Sequence, residues 1–174
     1  MNRHFVAALV APLAFACALQ AQAPPTPVSE AKQAYAAIKN NLSRMAEKVP
    51  DDLYSFRPVP EIRTFGELVA HIADNQVRAC SGIAGQQRQG NAASLKTKAE
   101  LVSALKASFA DCDAAWDTIT DANASQVVKT ARGERSRLGA MTVFVLAHDN
   151  EEYGYMAVYL RLKGIVPPSS EPRQ

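Results

Sequence analysis

Two histidines and one glutamate in this sequence have the residue types and spacing of a metal-binding set. His148 and Glu152 are four residues apart, so on a helix both side chains project from one face, about one turn apart. His71 lies on the inner half of an earlier predicted helix, between Leu68 and Asn75. Bundle cores build metal sites from glutamate and histidine on facing helices. The three residues therefore predict a 2-His-1-carboxylate site for a divalent ion with open coordination positions.

The same residues also allow simpler interpretations. His148 and Glu152 can form a hydrogen-bonded pair without a metal, and His71 can be an ordinary core or rim histidine. Glu151 follows His148 by three residues and is an alternative ligand. We expect Glu151 and Asp149 to lie on a solvated face, and the sequence identifies no separate general base.

Four amphipathic stretches are expected to position these side chains. Thr26 is predicted to cap a first helix, which has Pro27 at its first position and ends before Pro50. Threonine followed three residues later by glutamate forms capping boxes at residues 64–67 and 97–100, which open the second and third helices. The second helix is predicted to end near residue 80, and the third carries an apolar stripe to residue 119.

The last predicted helix spans residues 138–163 and carries the candidate ligands. Its predicted inner stripe consists of Met141, Val145, His148, Glu152, Tyr155 and Tyr159, and we expect both tyrosines to lie in the core. Residues 51–63 and 82–94 are predicted to be surface connections, and a small hairpin is predicted within residues 121–137. Four amphipathic helices without a βαβ alternation predict an all-α protein, a single four-helix bundle.

Composition and charge exclude several classes of protein. The 174 residues include 19 basic and 17 acidic side chains, and 48% are apolar. This near balance, without a basic stripe or a helix-turn-helix motif, argues against nucleic-acid binding. The apolar fraction is sufficient to fill the core of one domain.

Residues 1–23 have the pattern of a secretory signal peptide. Arg3 precedes a continuous apolar stretch, and Ala21 and Ala23 form a small-residue cleavage site. Cleavage after Ala21, an uncleaved anchor and lipidation of Cys17 are alternatives. We expect residues 24–174 to be the mature domain, exported to the periplasm or secreted, and not membrane-bound after cleavage.

Removal of that segment leaves two histidines, His71 and His148, and two cysteines, Cys80 and Cys112. An oxidising compartment permits a disulfide between the two cysteines. Two buried thiols are an equally acceptable interpretation of the same pair.

Three phrases of the sequence resemble DinB-like proteins. They are AHDNEEYGYMAVYLRLKGIVPPSS (147–170), YSFRPVPEIRTFGELVAHIADNQ (54–76) and LKASFADCDAAWDTITD (105–121). The match is greatest to an exported subgroup that ends in a YLRLKGIVPPSS-type motif. The resemblance implies a four-helix bundle, often a homodimer, with a divalent-metal site of three histidines.

This sequence departs from that family pattern at one ligand position. The resemblance places His71 and His148 at two of the three ligands, but the third falls on Glu152, where the family usually reads HDNEHYG. Glutamate can replace histidine as a ligand and makes the site more anionic, which favours harder cations or iron. The family otherwise implies zinc or nickel. The opposite interpretation is a degenerate site that has lost its metal.

The resemblance leaves three hypotheses for function. The first is an exported metal-binding bundle of undefined activity, with a small-molecule ligand. The second is a metal-dependent thiol S-transferase or hydrolase-like enzyme, because a metal lowers the pKa of a bound thiol or water. The third is a non-catalytic bundle with a degenerate site. Export argues against the transferase, because small-thiol cosubstrates are mainly cytoplasmic.

Overall fold

The computed structural model describes residues 24–130 and 132–172, so the predicted signal peptide lies outside the described residues. The main elements, in chain order, are helices α1 (Pro27–Lys48), α2 (Phe65–Ile83) and α3 (Lys98–Asp117), strands β1 (Val127–Thr130) and β2 (Gly133–Ser136), and helices α4 (Arg137–Met141) and α5 (His148–Leu162). A π-helical segment, Thr142–Ala147, joins α4 to α5 without interruption. These three pieces together form the C-terminal helix and complete the predicted four-helix bundle.

Threonine caps begin the first three helices. The side chains of Thr26, Thr64 and Thr97 each accept a hydrogen bond from a backbone N–H three residues later. In return, the side chains three positions on, Ser29, Glu67 and Glu100, accept a hydrogen bond from the backbone N–H of the cap residue. All three predicted helix starts are confirmed. They could be predicted from sequence because a cap satisfies the free backbone donors of the first turn and needs no tertiary contact.

The bundle arrangement brings α2 beside the C-terminal helix. Both α1 and α2 pack against α3 and against the C-terminal helix, with one continuous apolar core between them. Its largest fully buried members include Leu42 of α1, Ile72 of α2, Phe109 of α3 and Met156 of α5. His71 precedes Ile72 by one residue, so it lies at the margin of this core, facing α5.

The connections differ in part from the prediction. The segment after α1 is not entirely a surface loop, because Tyr54 in a 3-10 turn (Asp51–Ser55) is buried and its hydroxyl donates to the Ala46 carbonyl at 2.6 Å. Helix α2 continues three residues past the predicted end. The hairpin prediction is confirmed: β1 and β2 are antiparallel, with Thr130 paired to Gly133, whose φ of 102° suits glycine.

A disulfide joins α2 to α3. The Cα atoms of Cys80 and Cys112 are 5.1 Å apart, and their sulfurs are bonded. Of the two sequence-based interpretations, the structure therefore has the disulfide and not two free thiols. Among the described residues, no helix combines the length and apolar character needed to cross a bilayer.

Candidate metal centre

The three predicted ligands come together between α2 and α5. His71 Nε2 lies 3.2 Å from His148 Nε2 and 3.5 Å from Glu152 Oε1, and His148 Nε2 lies 3.8 Å from the same carboxylate oxygen. These donor atoms face one another closely enough to hold one metal ion. A spacing of four residues on α5 and a single position on α2 are sufficient to build this cluster, because α2 and α5 are neighbours in the bundle.

The environment of the cluster is half-closed. Glu152 is 5% exposed, whereas the side chain of His71 is 31% exposed and forms the open side of the site. Glu152 Oε2 is buried and has no hydrogen-bond partner in the described part of the chain. Within the described residues, the only basic groups within 4.0 Å of the Glu152 carboxylate are the two imidazoles. A buried carboxylate with one unpaired oxygen is costly unless a cation or a proton neutralises it.

Burial shifts the protonation of two of these groups. It is the main cause that lowers the pKa of His71, and the positive charges of Arg63 and of protonated His148 lower it further. The neutral imidazole that results is the form with a lone pair for a metal. Burial also raises the pKa of Glu152, and the nearby His148 and Arg63 oppose that change. In both groups desolvation by burial is the largest cause of the shift in pKa.

The backbone of the C-terminal helix adapts next to the site. In the π-helical segment the Phe144 carbonyl accepts a hydrogen bond from the side-chain amide of Asn75, on α2, at 2.9 Å. This contact ties α2 to the C-terminal helix one turn away from His71. The irregular turn also alters which residues face inward, since a π turn contains one more residue than an α turn.

Two acidic neighbours of the cluster, which we expected to behave alike, differ in burial. Asp149, which we expected on a solvated face, is fully buried at 0% exposure, so that prediction is wrong. Glu151 is exposed as expected and accepts a hydrogen bond from Tyr155 Oη at 2.8 Å, away from the imidazoles. The structure therefore places Glu152 in the cluster and leaves Glu151 outside it.

The two tyrosines of the predicted stripe also differ in burial. Tyr159 is buried as predicted and donates to the Arg63 carbonyl at 2.6 Å. Tyr155 is 51% exposed, which corrects its predicted core position, and Met156 is buried instead. The predicted stripe used a step of three residues from Glu152, whereas the core follows the step of four.

Comparisons with known proteins agree with this architecture. The family model of the DinB superfamily matches residues 34–156, which is more than half of the chain. A DinB-like protein from Bacillus cereus superimposes with a TM-score of 0.64 at 18% identity, covering 79% of this chain and 93% of that chain. A DinB-like protein from Bacillus subtilis superimposes with a TM-score of 0.65 at 18% identity, covering 83% of this chain and 99% of that chain.

An enzyme has the same fold. The mycothiol-dependent maleylpyruvate isomerase superimposes with a TM-score of 0.60 at 19% identity, covering 76% of this chain and 60% of that chain. At these identities the likeness shows the fold alone. No curated protein matches the chain in sequence.

Proposed function

We propose that this chain, which belongs to the DinB superfamily, is an exported divalent-metal-binding bundle whose ion is held by His71, His148 and Glu152. The observation that supports it is the convergence of the three donor atoms, all within 4.8 Å of one another, around a buried carboxylate that has no other basic group of the described residues within 4.0 Å. The residues fit a metal because two neutral imidazoles and one carboxylate are a known ligand set with open positions.

Each residue has a distinct role in this proposal. His148 and Glu152 project from one face of α5 and would bind the ion from that helix. His71 would bind it from α2, on the open side of the site. Glu152 brings the negative charge that distinguishes the site from one of three imidazoles. That charge favours iron, and harder cations in general, relative to a three-histidine site, with zinc and nickel as the other candidates.

A divalent ion in such a site supplies Lewis-acid chemistry, which lowers the pKa of a thiol or water bound beside it. The partly exposed His71 marks the side from which a small molecule would enter. A small ligand such as a monothiol or an inorganic anion is the proposed occupant, since a 2-His-1-carboxylate set leaves open coordination positions.

Export is the second part of the proposal, and two features support it. The sequence pattern of residues 1–23 is that of a signal peptide. A disulfide such as that between Cys80 and Cys112 is typical of proteins that mature in an oxidising compartment. The periplasm or the cell exterior is the proposed location, and a homodimer and a small-molecule ligand remain predictions from the family resemblance.

A thiol-dependent transferase is the second candidate function. The likeness in fold to the mycothiol-dependent maleylpyruvate isomerase supports it, together with the open side of the cluster. A cobalt-loaded sample distinguishes the candidates, because a thiolate that binds the ion produces a charge-transfer band in the near ultraviolet. Addition of β-mercaptoethanol produces that band if the site binds a thiolate. A cobalt spectrum that changes with azide but not with β-mercaptoethanol indicates a site for other anions.

The test of metal binding uses the purified protein with zinc, nickel or iron(II). We expect one ion per chain by elemental analysis after removal of excess metal. Glu152→Ala is expected to weaken binding strongly, and Glu151→Ala, the matched exposed neighbour, to leave it unchanged. Absence of stoichiometric binding for all three ions would contradict the proposal, and equal effects of the two variants would contradict the role of Glu152.

A further inference from the structure

A buried polar chain lies directly behind His148. It consists of Asp149 on α5, Gln76 on α2 and Ser108 on α3, which are all at most 1% exposed. Gln76 Nε2 donates to Asp149 Oδ2 at 3.1 Å, and Ser108 Oγ lies 2.8 Å from Gln76 Oε1. Three helices of the bundle therefore contribute one side chain each to a connected network in the core.

Hydrogen-bond chemistry determines the orientation of the Gln76 side-chain amide in this network. An ionised aspartate only accepts hydrogen bonds, so the nitrogen of Gln76 must face Asp149. Its oxygen is then the acceptor that faces the Ser108 hydroxyl, which can donate. The carboxylate of Asp149 is thus held at one oxygen by a fixed donor.

The other carboxylate oxygen points to His148. Asp149 Oδ1 and His148 Nδ1 lie 3.7 Å apart, and both are buried without a hydrogen-bond partner among the residues that the structure describes. Leaving such buried groups unpaired destabilises the folded state. A closer approach of about 0.5–1 Å would join them in a normal hydrogen bond. The Nδ1 atom is the nitrogen on the side opposite the cluster, since Nε2 faces His71 and Glu152.

The disulfide lies close to this polar network and joins two of the helices that form it. Cys80 follows Gln76 by four residues, and Cys112 follows Ser108 by four, so the covalent bond lies one turn along both helices. It maintains the spacing between α2 and α3 at which Gln76 and Ser108 meet. Through its hydrogen bond to Gln76, Asp149 is therefore connected to a covalently joined pair of helices.

We propose that Asp149 is a positioning residue of the metal site: it accepts a hydrogen bond from Nδ1–H of His148 and keeps the Nε2 lone pair directed at His71 and Glu152. A neutral imidazole with its proton on Nδ1 has its only free lone pair on Nε2. Carboxylates that fix a histidine in this way orient metal ligands and raise their basicity. The inference deepens the proposed function and relies on it for the identity of the site.

The first arm of the test compares two variants that each remove one negative charge from adjacent parts of α5. Asp149→Asn keeps an oxygen acceptor for Gln76 but loses the carboxylate that faces Nδ1, so zinc affinity is expected to fall about 10- to 100-fold. Glu151→Gln changes the exposed neighbour and is expected to bind zinc as the wild type does. Thermal unfolding of metal-free Asp149→Asn is expected at or above the wild-type temperature, because the substitution removes a buried charge and preserves the packing.

The second arm measures the tautomer of His148 by nitrogen-15 NMR in the metal-free wild-type protein at a pH where the ring is neutral. We expect the proton on Nδ1. A proton on Nε2, wild-type zinc affinity in Asp149→Asn, or an equal loss in Glu151→Gln would each overturn the inference. If the wild-type protein binds no ion, the proposed function fails, and the tautomer measurement alone decides the role of Asp149.

Discussion

The disulfide between α2 and α3 makes a strong prediction about the stability of the bundle. Cys80 and Cys112 are 32 residues apart in sequence, so their bond closes a loop that includes the connection from α2 to α3. In the chain-entropy account, closing a loop of 32 residues stabilises the folded state by about 3.7 kcal/mol at 25 °C, because it restricts the unfolded chain. Domains of this size have about 5–15 kcal/mol of stability in total. We therefore expect the reduced protein to fold, with a much smaller margin.

The assay is equilibrium unfolding in urea, with and without dithiothreitol. For a slope of about 2 kcal/mol per molar urea, a loss of 3.7 kcal/mol lowers the midpoint by about 1.8 M. The double variant Cys80→Ala/Cys112→Ala serves as the control, because its midpoint must not respond to dithiothreitol. Its own midpoint is expected near that of the reduced wild type, and slightly lower because two buried sulfur atoms are lost.

A midpoint that falls by less than about 0.5 M on reduction would refute this reasoning, since it corresponds to about 1 kcal/mol at the same slope. It would mean that the reduced, unfolded chain keeps α2 and α3 associated or that the bond brings no net entropic benefit. An unchanged midpoint in the double variant, compared with the oxidised wild type, would lead to the same conclusion without any reductant.

Three further predictions concern the site and a helix cap. Glu152→His restores the three-imidazole pattern, so the ratio of zinc to iron(II) affinity measured by competition titration is expected to rise; an unchanged ratio would contradict the role of the carboxylate charge. Burial raises the pKa of Glu152 in the folded state, so this residue contributes stability below its ordinary pKa of about 4, which is lost as pH rises through the raised value. Metal-free Glu152→Gln is therefore expected to gain stability over the wild type as the pH increases from 4 to 8, and parallel pH profiles from thermal unfolding would show that the carboxylate is not responsible. Thr64→Ala removes the cap of α2 and is expected to cost about 1 kcal/mol in urea unfolding, with Thr64→Ser close to the wild type; a cost as large for serine would exclude the hydroxyl as its cause.

The candidate ligands show how much of the site could be predicted from the sequence pattern. His148 and Glu152 share a helix face through a spacing of four residues, which is a local property that any α-helix imposes. That His71 meets them depends on α2 lying beside the C-terminal helix, which the predicted bundle permits and the family resemblance implies. Metal binding itself stays a prediction, because donor geometry permits an ion without proving that one is bound.

Errors in the prediction occur where packing decides burial. Asp149 and Glu151 are both acidic neighbours of His148, and sequence alone does not distinguish them. A helix turns by 100° at each residue, so Asp149 and Glu151, two positions apart, lie on nearly opposite faces of α5. Only the partner helices determine which of the two faces the core. Gln76 of α2 supplies the hydrogen bond that allows Asp149 to be buried. A polar partner 73 residues away in sequence is not visible in a local pattern.

The sequence by itself determined the features that depend on neighbours along the chain: the three threonine caps, the four helical stretches, the hairpin and the pair His148 and Glu152 on one face. Tertiary structure alone decided the disulfide, the burial of Asp149, the exposure of Tyr155 and the exclusion of Glu151, the alternative ligand, from the cluster. The physical reason is the range of the interactions. Caps and helix periodicity arise from hydrogen bonds within one turn, whereas burial and pairing arise from contacts between helices that only the packed bundle brings together.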